Sequence, residues 1–444
     1  MEKKWEEMSA KEKREVRFKS WFSPEGVEFQ SPEAEASYKA TIQRFKDVVQ
    51  LKKPDRVPIL FYFTFMPCHL YGIKPGEGMT NPEKLVFAST QFLKDYKPDF
   101  YMSPALVGYS KIFEALDYRQ YNWPGHGVSE DSVYQYVEGE YMKAEEYPAL
   151  IDDPTDFWLR IYLPRVFGAL SSLQTIPSFT ELWEMPVIPG NMVSFGNPGV
   201  QKALKALIEA GSQAMAWDQY IGGFETKAKS MGFVNGAGGI AKAPFDILAD
   251  TLRGTRAMMV DMYRQPDMVL KAVERIIPLA IKQGVSAATA HGNPAVFIPL
   301  HKGADGFMSD EQFRKFYWPT LKEVILGLIN EGCVPCLFCE GSYNTRLEYL
   351  KELPKASCLW VFDRTDMAKA KKLLGKKLCI GGNVPAGMIL TGTAEQVKAY
   401  CKNLIDVVGK GGGYIMALGT SMDEGKSDTI HAMIDFTKEY GVYK

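Results

Sequence analysis

Three absences bound what this chain can be. Among its 444 residues no apolar run reaches the roughly 18 needed to cross a bilayer. Met1–Arg17 is charged throughout, the reverse of a signal peptide, so the expectation is a cytoplasmic protein away from any membrane. Charge of one sign is also lacking: 52 basic and 53 acidic residues leave a net charge of −1, which gives no field for nucleic acid. A dinucleotide fingerprint is missing as well, since no Gly-x-Gly-x-x-Gly follows an early strand. Gly236–Gly239 is the nearest approach and comes too late, which counts against a doubly wound open sheet. The glycines Gly409 and Gly411–Gly413 have no Lys-Ser/Thr after them and precede a strand, so they read as a connecting turn. The seven cysteines are an odd number, and Cys336, Cys358 and Cys379 sit inside apolar runs, as buried free thiols of a reducing compartment do.

What is present is a rhythm. Four apolar runs in the last third each end on a polar residue: Val334–Phe338 before Glu340, Leu359–Phe362 before Asp363, Leu378–Ile380 before Asn383, and Tyr414–Leu418 before Thr420. The segments between them have helical period, the pattern of strand–helix units with a parallel sheet. Earlier strands are expected at Val57–Thr64, Phe100–Met102, Ala214–Trp217 and Val296–Leu300, with helices at Tyr220–Met231, Asp250–Met262, Pro266–His291 and Ser309–Asn330. About eight such units make an α/β fold, a (β/α)₈ TIM barrel occupying residues 57–444. Residues 1–56 form an N-terminal helical arm, with helices over Trp5–Trp21 and Ser31–Leu51, of the kind that packs outside a barrel or on a second subunit. Residues 109–160 break the rhythm with two short ribbon strands, Tyr118–Trp123 and Val133–Val137. They read as an insertion near the barrel mouth, a lid or docking element.

In a barrel of this type the carboxyl ends of the strands form the active face, so the strand-end residues converge. Glu340 and Asp363 end consecutive strands and can divide acid and base roles or hold a metal, against the plain alternative of salt bridges to Arg346 or Arg364. His301 follows Val296–Leu300 and is placed for proton transfer or ligation. Cys339, beside Glu340, is a candidate zinc ligand with Glu340 and His301. The three-residue spacing of Cys333, Cys336 and Cys339 on a strand sends them to opposite faces, which argues against a joint site. Tyr62, Phe65 and Met66 after the first strand, Ser103 after the second, and Asn383 and Thr420 after the last two are candidate substrate contacts.

Several stretches resemble one family. Val361-Phe362-Asp363-Arg364-Thr365-Asp366, Ile380-Gly381-Gly382-Asn383-Val384-Pro385, Gly411-Gly412-Gly413-Tyr414-Ile415 and the terminal Lys438-Glu439-Tyr440-Gly441 are similar to the uroporphyrinogen decarboxylase-like superfamily. So are Arg56-Val57-Pro58 and Met142–Tyr147 with Asp152-Asp153-Pro154. The resemblance implies a (β/α)₈ barrel and either a true decarboxylase or a methyltransferase that moves methyl groups to or from a corrinoid cobalt or a thiol. The decarboxylases bind their carboxylates with arginines after the first strand, and here no arginine lies between Val57 and Tyr118. Their aspartate position is Pro104 and their last-strand histidine position is Thr420. The thiol-using methyltransferases carry a zinc on His-x-Cys and a final cysteine, positions that align with Phe338, Glu340 and Thr420. The resemblance therefore points to the substrate-side methyltransferases, which pass a methyl group from a small donor, here a methoxylated aromatic, to the cob(I)alamin of a partner corrinoid protein. Zinc on oxygen and nitrogen ligands is compatible with this reading, and so is a homodimer; a decarboxylase or other lyase on a small acid or tetrapyrrole is the alternative.

Overall fold

A computed structural model describes residues 3–444. Eight parallel staves close into a barrel. They are β1 (Ile59–Leu60), β2 (Phe100–Tyr101), β3 (in two pieces, Val234–Asn235 and Gly239–Ile240), β4 (Ala295–Leu300), β5 (Val334–Cys339), β6 (Leu359–Phe362), β7 (Cys379–Gly382) and β8 (Tyr414–Ala417). The ladder runs in order from β2 through β1 to β8 and back down to β4, and β3 closes the ring. Its first piece pairs with β2 (Phe100 opposite Val234) and its second with β4 (Gly239 opposite Val296).

The third strand is thus not at Ala214–Trp217. That stretch and the helix expected at Tyr220–Met231 belong to one 33-residue helix, Pro198–Ser230, whose small apolar residues mimic a strand run. Gly236 and Gly238 interrupt β3 for a steric reason: a side chain at 238 would meet the Asn293 backbone oxygen at 2.0 Å. Their amides still bond outward, Gly236 to Tyr101 and Gly238 to Ala295, each at 2.8 Å.

Alternation along the strands sorts the side chains. Leu60, Tyr62, Phe100, Val234, Cys336, Phe338, Val361 and Ala417 fill the barrel, while Leu337, Cys339, Trp360 and Phe362 face the helical layer. The N-terminal helices α1 (Ala10–Phe22) and α2 (Pro32–Val49) do not lie along the outside of the barrel. Phe18, Trp21, Ile42 and Phe45 share the interior cluster with the strand residues, so the arm plugs the foot of the barrel, and Phe45 meets Phe100 at 5.6 Å between ring centroids. Arg14 fixes it there by donating to the carbonyls of Cys333, Ala356 and Ser357 at 3.3, 2.9 and 3.0 Å. With the foot stopped by apolar side chains, access to the interior is from the carboxyl-end face.

Above that face, Tyr121–Pro124 pairs antiparallel with Gln135–Tyr136 in a small ribbon. Among the described residues no helix is long and apolar enough to cross a membrane.

Candidate active site

The mouth is floored by three rings. Tyr62 meets Phe338 at 4.5 Å and Phe297 at 5.7 Å between ring centroids, in tilted contacts, and the latter two are 5.8 Å apart. Inward-facing parity along β5 (336, 338, 340) then carries Glu340 to the rim above Phe338.

Two neighbouring strand ends meet here. His301 Nε2 lies 3.8 Å from Glu340 Oε1. On the other side of the ring, His301 Nδ1 lies 2.6 Å from Asp250 Oδ2. An ionised carboxylate only accepts, so Nδ1 carries the hydrogen and donates it, and Nε2 is left facing Glu340 and the mouth. Asp250 also receives Lys242 at 2.9 Å and Lys302 at 3.2 Å. Behind it, the fully buried Asp246 accepts from the amides of His301 (2.9 Å) and Lys302 (3.1 Å) and from the Tyr317 hydroxyl (2.9 Å), which anchors the loop after β4.

The electrostatics follow from these contacts. Burial pushes the Asp250 carboxyl up, but the hydrogen bond from His301 and the charge of Lys242 outweigh it and hold the group well below the usual carboxylate range. For Asp246 burial dominates and the neighbouring Asp250 charge adds, raising it to about 6. Burial alone would lower the His301 pKa, yet the bond to Asp250 and the charge of Asp246 raise it above the ordinary imidazole value. Glu340 is raised by burial, against the opposing pull of His301. Its side chain is 48% exposed, so that upward push is only partial.

Asp250 and Asp246 were invisible to the strand-end reading because β3 was misplaced. The signal was there: Ala241-Lys242-Ala243 leaves a strand, Pro244 opens a helix, and two aspartates four apart share one face of it.

The remaining candidates separate. Asp363 is close enough for its charge to be felt by Glu340, but its carboxylate accepts from the Gly341 amide at 3.0 Å and orients that loop. Arg364 approaches it at 3.8 Å from an exposed position, a weak version of the expected salt bridge, while Arg346 pairs instead with Asp310 at 2.9 Å. Asn383 is buried and bridges the carbonyls of Asp363 (2.6 Å) and Thr365 (3.2 Å), a structural tie rather than an open contact. Ser103 caps its own turn at the Ala105 amide. Thr420 is partly exposed beyond β8.

Two assignments are corrected. Met66 is fully buried in the helical layer against Gly425, outside the barrel. Cys339 cannot join Glu340 on one ion: it is fully buried, faces the helices, and burial together with the Glu340 charge pushes its thiol far up. A zinc site needs three or four protein donors, and among the described residues no group of three His, Cys, Asp or Glu assembles. His301 and Glu340 alone, with Nδ1 engaged by Asp250, do not fit that ion.

An aromatic wall crosses the mouth. Phe65 meets Tyr134 at 5.4 Å, Tyr134 meets Tyr121 at 5.7 Å, and Tyr121 meets Tyr136 at 5.3 Å. The Tyr136 hydroxyl donates to the Asp250 carbonyl, so the insertion is moored to the helix that bears the carboxylate. Thr64, at the other end of the wall, donates to Asp423. A groove of about 800 Å³ with charged side chains in its lining lies beside this assembly, between residues 138–145 and the helix carrying Arg256 and Arg264; Glu138 in its wall also feels the charge of Lys302.

Residues 232–440 match the uroporphyrinogen decarboxylase (URO-D) family. Over 180 residues the chain is 25% identical to a uroporphyrinogen decarboxylase of Cellvibrio japonicus, covering 40% of this chain and 49% of that one. Over 194 residues it is 26% identical to the corresponding enzyme of Nitrosococcus oceani, covering 41% and 52%. The chain thus spans about half the length of the curated relatives it matches. Among solved structures, a methyltransferase from Methanosarcina mazei shares the fold with a TM-score of 0.58 at 16% identity, over 89% of this chain and 98% of that one. In its eight staves, its strand-end site and residues 232–440, the chain is thus similar to the uroporphyrinogen decarboxylase-like superfamily.

Proposed function

We propose that the protein is a methyltransferase that takes a methyl group from a small methylated donor, of the methoxylated aromatic class, and delivers it to the cobalt(I) of a corrinoid carried by a partner protein. The observation that carries this reading is the Asp250–His301–Glu340 file at the rim, set above a floor and beside a wall of aromatic rings. Rings accept an aromatic donor by stacking, and the file supplies a proton where its methoxy oxygen would lie.

The chemistry asked of the protein is limited. Cobalt(I) is itself the nucleophile: it forms a bond to the methyl carbon, the C–O bond breaks, and its electron pair stays on oxygen. A phenolate has a conjugate acid of pKa ~10, a poor leaving group, and a positioned proton donor contributes a factor of roughly 10² to 10⁴ in rate. His301 Nε2–H is that donor, relayed by Glu340, with Asp250 stabilising the charged imidazole until its proton is given up and holding the neutral ring by the Nδ1 hydrogen bond afterwards. The phenol leaves neutral and His301 regains a proton from water.

The family match favours one second reading, decarboxylation of a small acid. Against it stands the engagement of both lysines at the rim: Lys242 and Lys302 are paired to Asp250 and not free for a substrate carboxylate. Incubation with cob(I)alamin and a panel of methoxyarenes gives the methylcob(III)alamin spectrum if the proposal holds. Silence across oxygen, nitrogen and sulfur methyl donors overturns it, and CO₂ release from an acid panel moves the protein to the second reading.

A further inference from the structure

Three consecutive carbonyls tie the insertion to the site. Those of Asp250, Thr251 and Leu252, at the end of the helix that bears the carboxylate, accept from the Tyr136 hydroxyl, from Gln120 Nε2 at 3.0 Å, and from the amides of Tyr141 and Met142 at 2.8 Å each. Tyr121 stands between these moorings: it follows Gln120 in the chain and lies opposite Tyr136 across the ribbon. Its ring meets those of Tyr118, Tyr134 and Tyr136 at 5.8, 5.7 and 5.3 Å between centroids. A ring so bracketed has little freedom of its own, and the fold decides where its hydroxyl points.

That hydroxyl is the exception among its neighbours. Tyr118 and Tyr162 donate to Gln120 Oε1 at 3.4 and 3.0 Å, Tyr134 to the Leu106 carbonyl at 3.1 Å, Tyr141 to the Val137 carbonyl at 2.9 Å, and Tyr136 to Asp250. Tyr121 donates to no group among the described residues, and its oxygen is not walled in. Burial raises its pKa and the charge of Asp250 raises it further, so the hydroxyl keeps its proton and stays a donor. We infer that Tyr121 is a specificity-determining residue, whose hydroxyl donates a hydrogen bond to a second oxygen on the ring of the aromatic methyl donor. The preferred donor is therefore a dioxygenated arene. Asp250 and Glu340 are both acidic here, and Lys242 and Lys302 are engaged by Asp250, so the accepting oxygen belongs to a neutral methoxy or hydroxyl group and not to a carboxylate. Two polar contacts on one ring, at the His301–Glu340 rim and at Tyr121, leave it a single productive orientation. The identity of the ring rests on the methyl-transfer reading above; the contact itself is tested apart from it.

Methyl transfer to cob(I)alamin is measured with anisole and with the three dimethoxybenzenes, which differ from it by the second oxygen. In the wild type, kcat/KM for the best dimethoxybenzene exceeds that for anisole by about tenfold or more. In Tyr121→Phe the ratio falls to about the twofold that a second methyl group supplies by number alone. The melting temperature of this variant stays with the wild type, because the lost hydroxyl has no partner inside the protein. Tyr134→Phe, whose hydroxyl is spent on the Leu106 carbonyl, changes both donors by one factor and leaves the ratio as it was. Calorimetric binding of anisole and of the same dimethoxybenzene, with no corrinoid present, gives a parallel ratio of Kd values that Tyr121→Phe abolishes. That binding preference in a protein that transfers no methyl group upholds the contact and sinks the reaction. A wild type that favours no dimethoxybenzene over anisole, or a Tyr121→Phe variant that lowers both donors equally, overturns the inference and leaves the reaction standing.

Discussion

His301 Nδ1 stands 2.6 Å from Asp250 Oδ2, while its other nitrogen faces Glu340 at 3.8 Å, so one imidazole joins a deep carboxylate to one at the rim. Asp250 is 11% exposed and Glu340 48%, so one carboxylate is held in the interior and the other opens to the mouth.

Removing the deep carboxylate should move a pH limb. With Asp250 ionised, the His301 pKa is raised, and the proton-donating form is lost only as pH rises through that raised value. Asp250→Asn leaves the desolvation and removes the charge, so the alkaline limb of kcat shifts to lower pH by about 1–2 units. The same pair stabilises the fold within a window. The His301 contribution is complete below the unfolded pKa of ~6.5 and fades above, while the Asp250 contribution is present above ~3.9 and fades below. Thermal melts across pH should show the difference between wild type and Asp250→Asn peaking between these limits.

Glu340→Gln keeps size and a hydrogen-bonding head but cannot relay a proton. Because the side chain is half exposed, the melting temperature stays within a degree or two, while kcat for methyl transfer falls by roughly 10² or more. Equal loss with a donor whose leaving group needs no proton, such as a quaternary amine, would show that Glu340 acts by position alone.

Asp246 accepts two amides and a hydroxyl inside the fold. Asp246→Ala leaves these donors unpaired, at about 1–3 kcal/mol for each buried group so stranded. Urea unfolding should report a loss of several kcal/mol, with the His301 loop the first segment to exchange its amide hydrogens.

Cys339→Ala tests the corrected role of that residue. A buried thiol facing the helices leaves a small cavity, costing about 1–2 kcal/mol. Methyl-transfer activity and metal content should both be unchanged, whereas a ligand would lose metal on substitution.

Arg14→Ala releases three carbonyls at the barrel foot, and the arm is the reader of that change. Limited proteolysis between Phe22 and Ser31 should accelerate, and stability should drop by about 2–4 kcal/mol.

How far the sequence carries depended on how clean each run was. The strands ending near Glu340, Asp363, Asn383 and Thr420 were legible because each is an uninterrupted apolar run closed by a polar residue. His301 was legible for the same reason. β3 was not: two pieces of two residues separated by glycines carry no run to detect, and Ala214–Trp217 supplied a false one from the helix Pro198–Ser230. That single error hid Asp246, Asp250 and Lys242. Parity decided the rest: at 338 and 340 it sends Phe338 and Glu340 inward and Cys339 away, and after β1 it sends Tyr62 into the barrel while Phe63 turns outward onto Phe92. Met66 was misjudged because the chain turns into a helix at Phe65, where strand alternation no longer applies.

The interrupted third stave has a mechanical consequence. Its lower piece is bonded to β2 and its upper piece to β4, so between residues 235 and 239 no rung runs straight across the cylinder. At this stave the wall is a lap joint, one piece held by β2 and the next by β4. The helix bearing Asp246 and Asp250 follows the upper piece directly, with Lys242 on the connection between them, so the groups that hold His301 are positioned from the β4-paired piece alone.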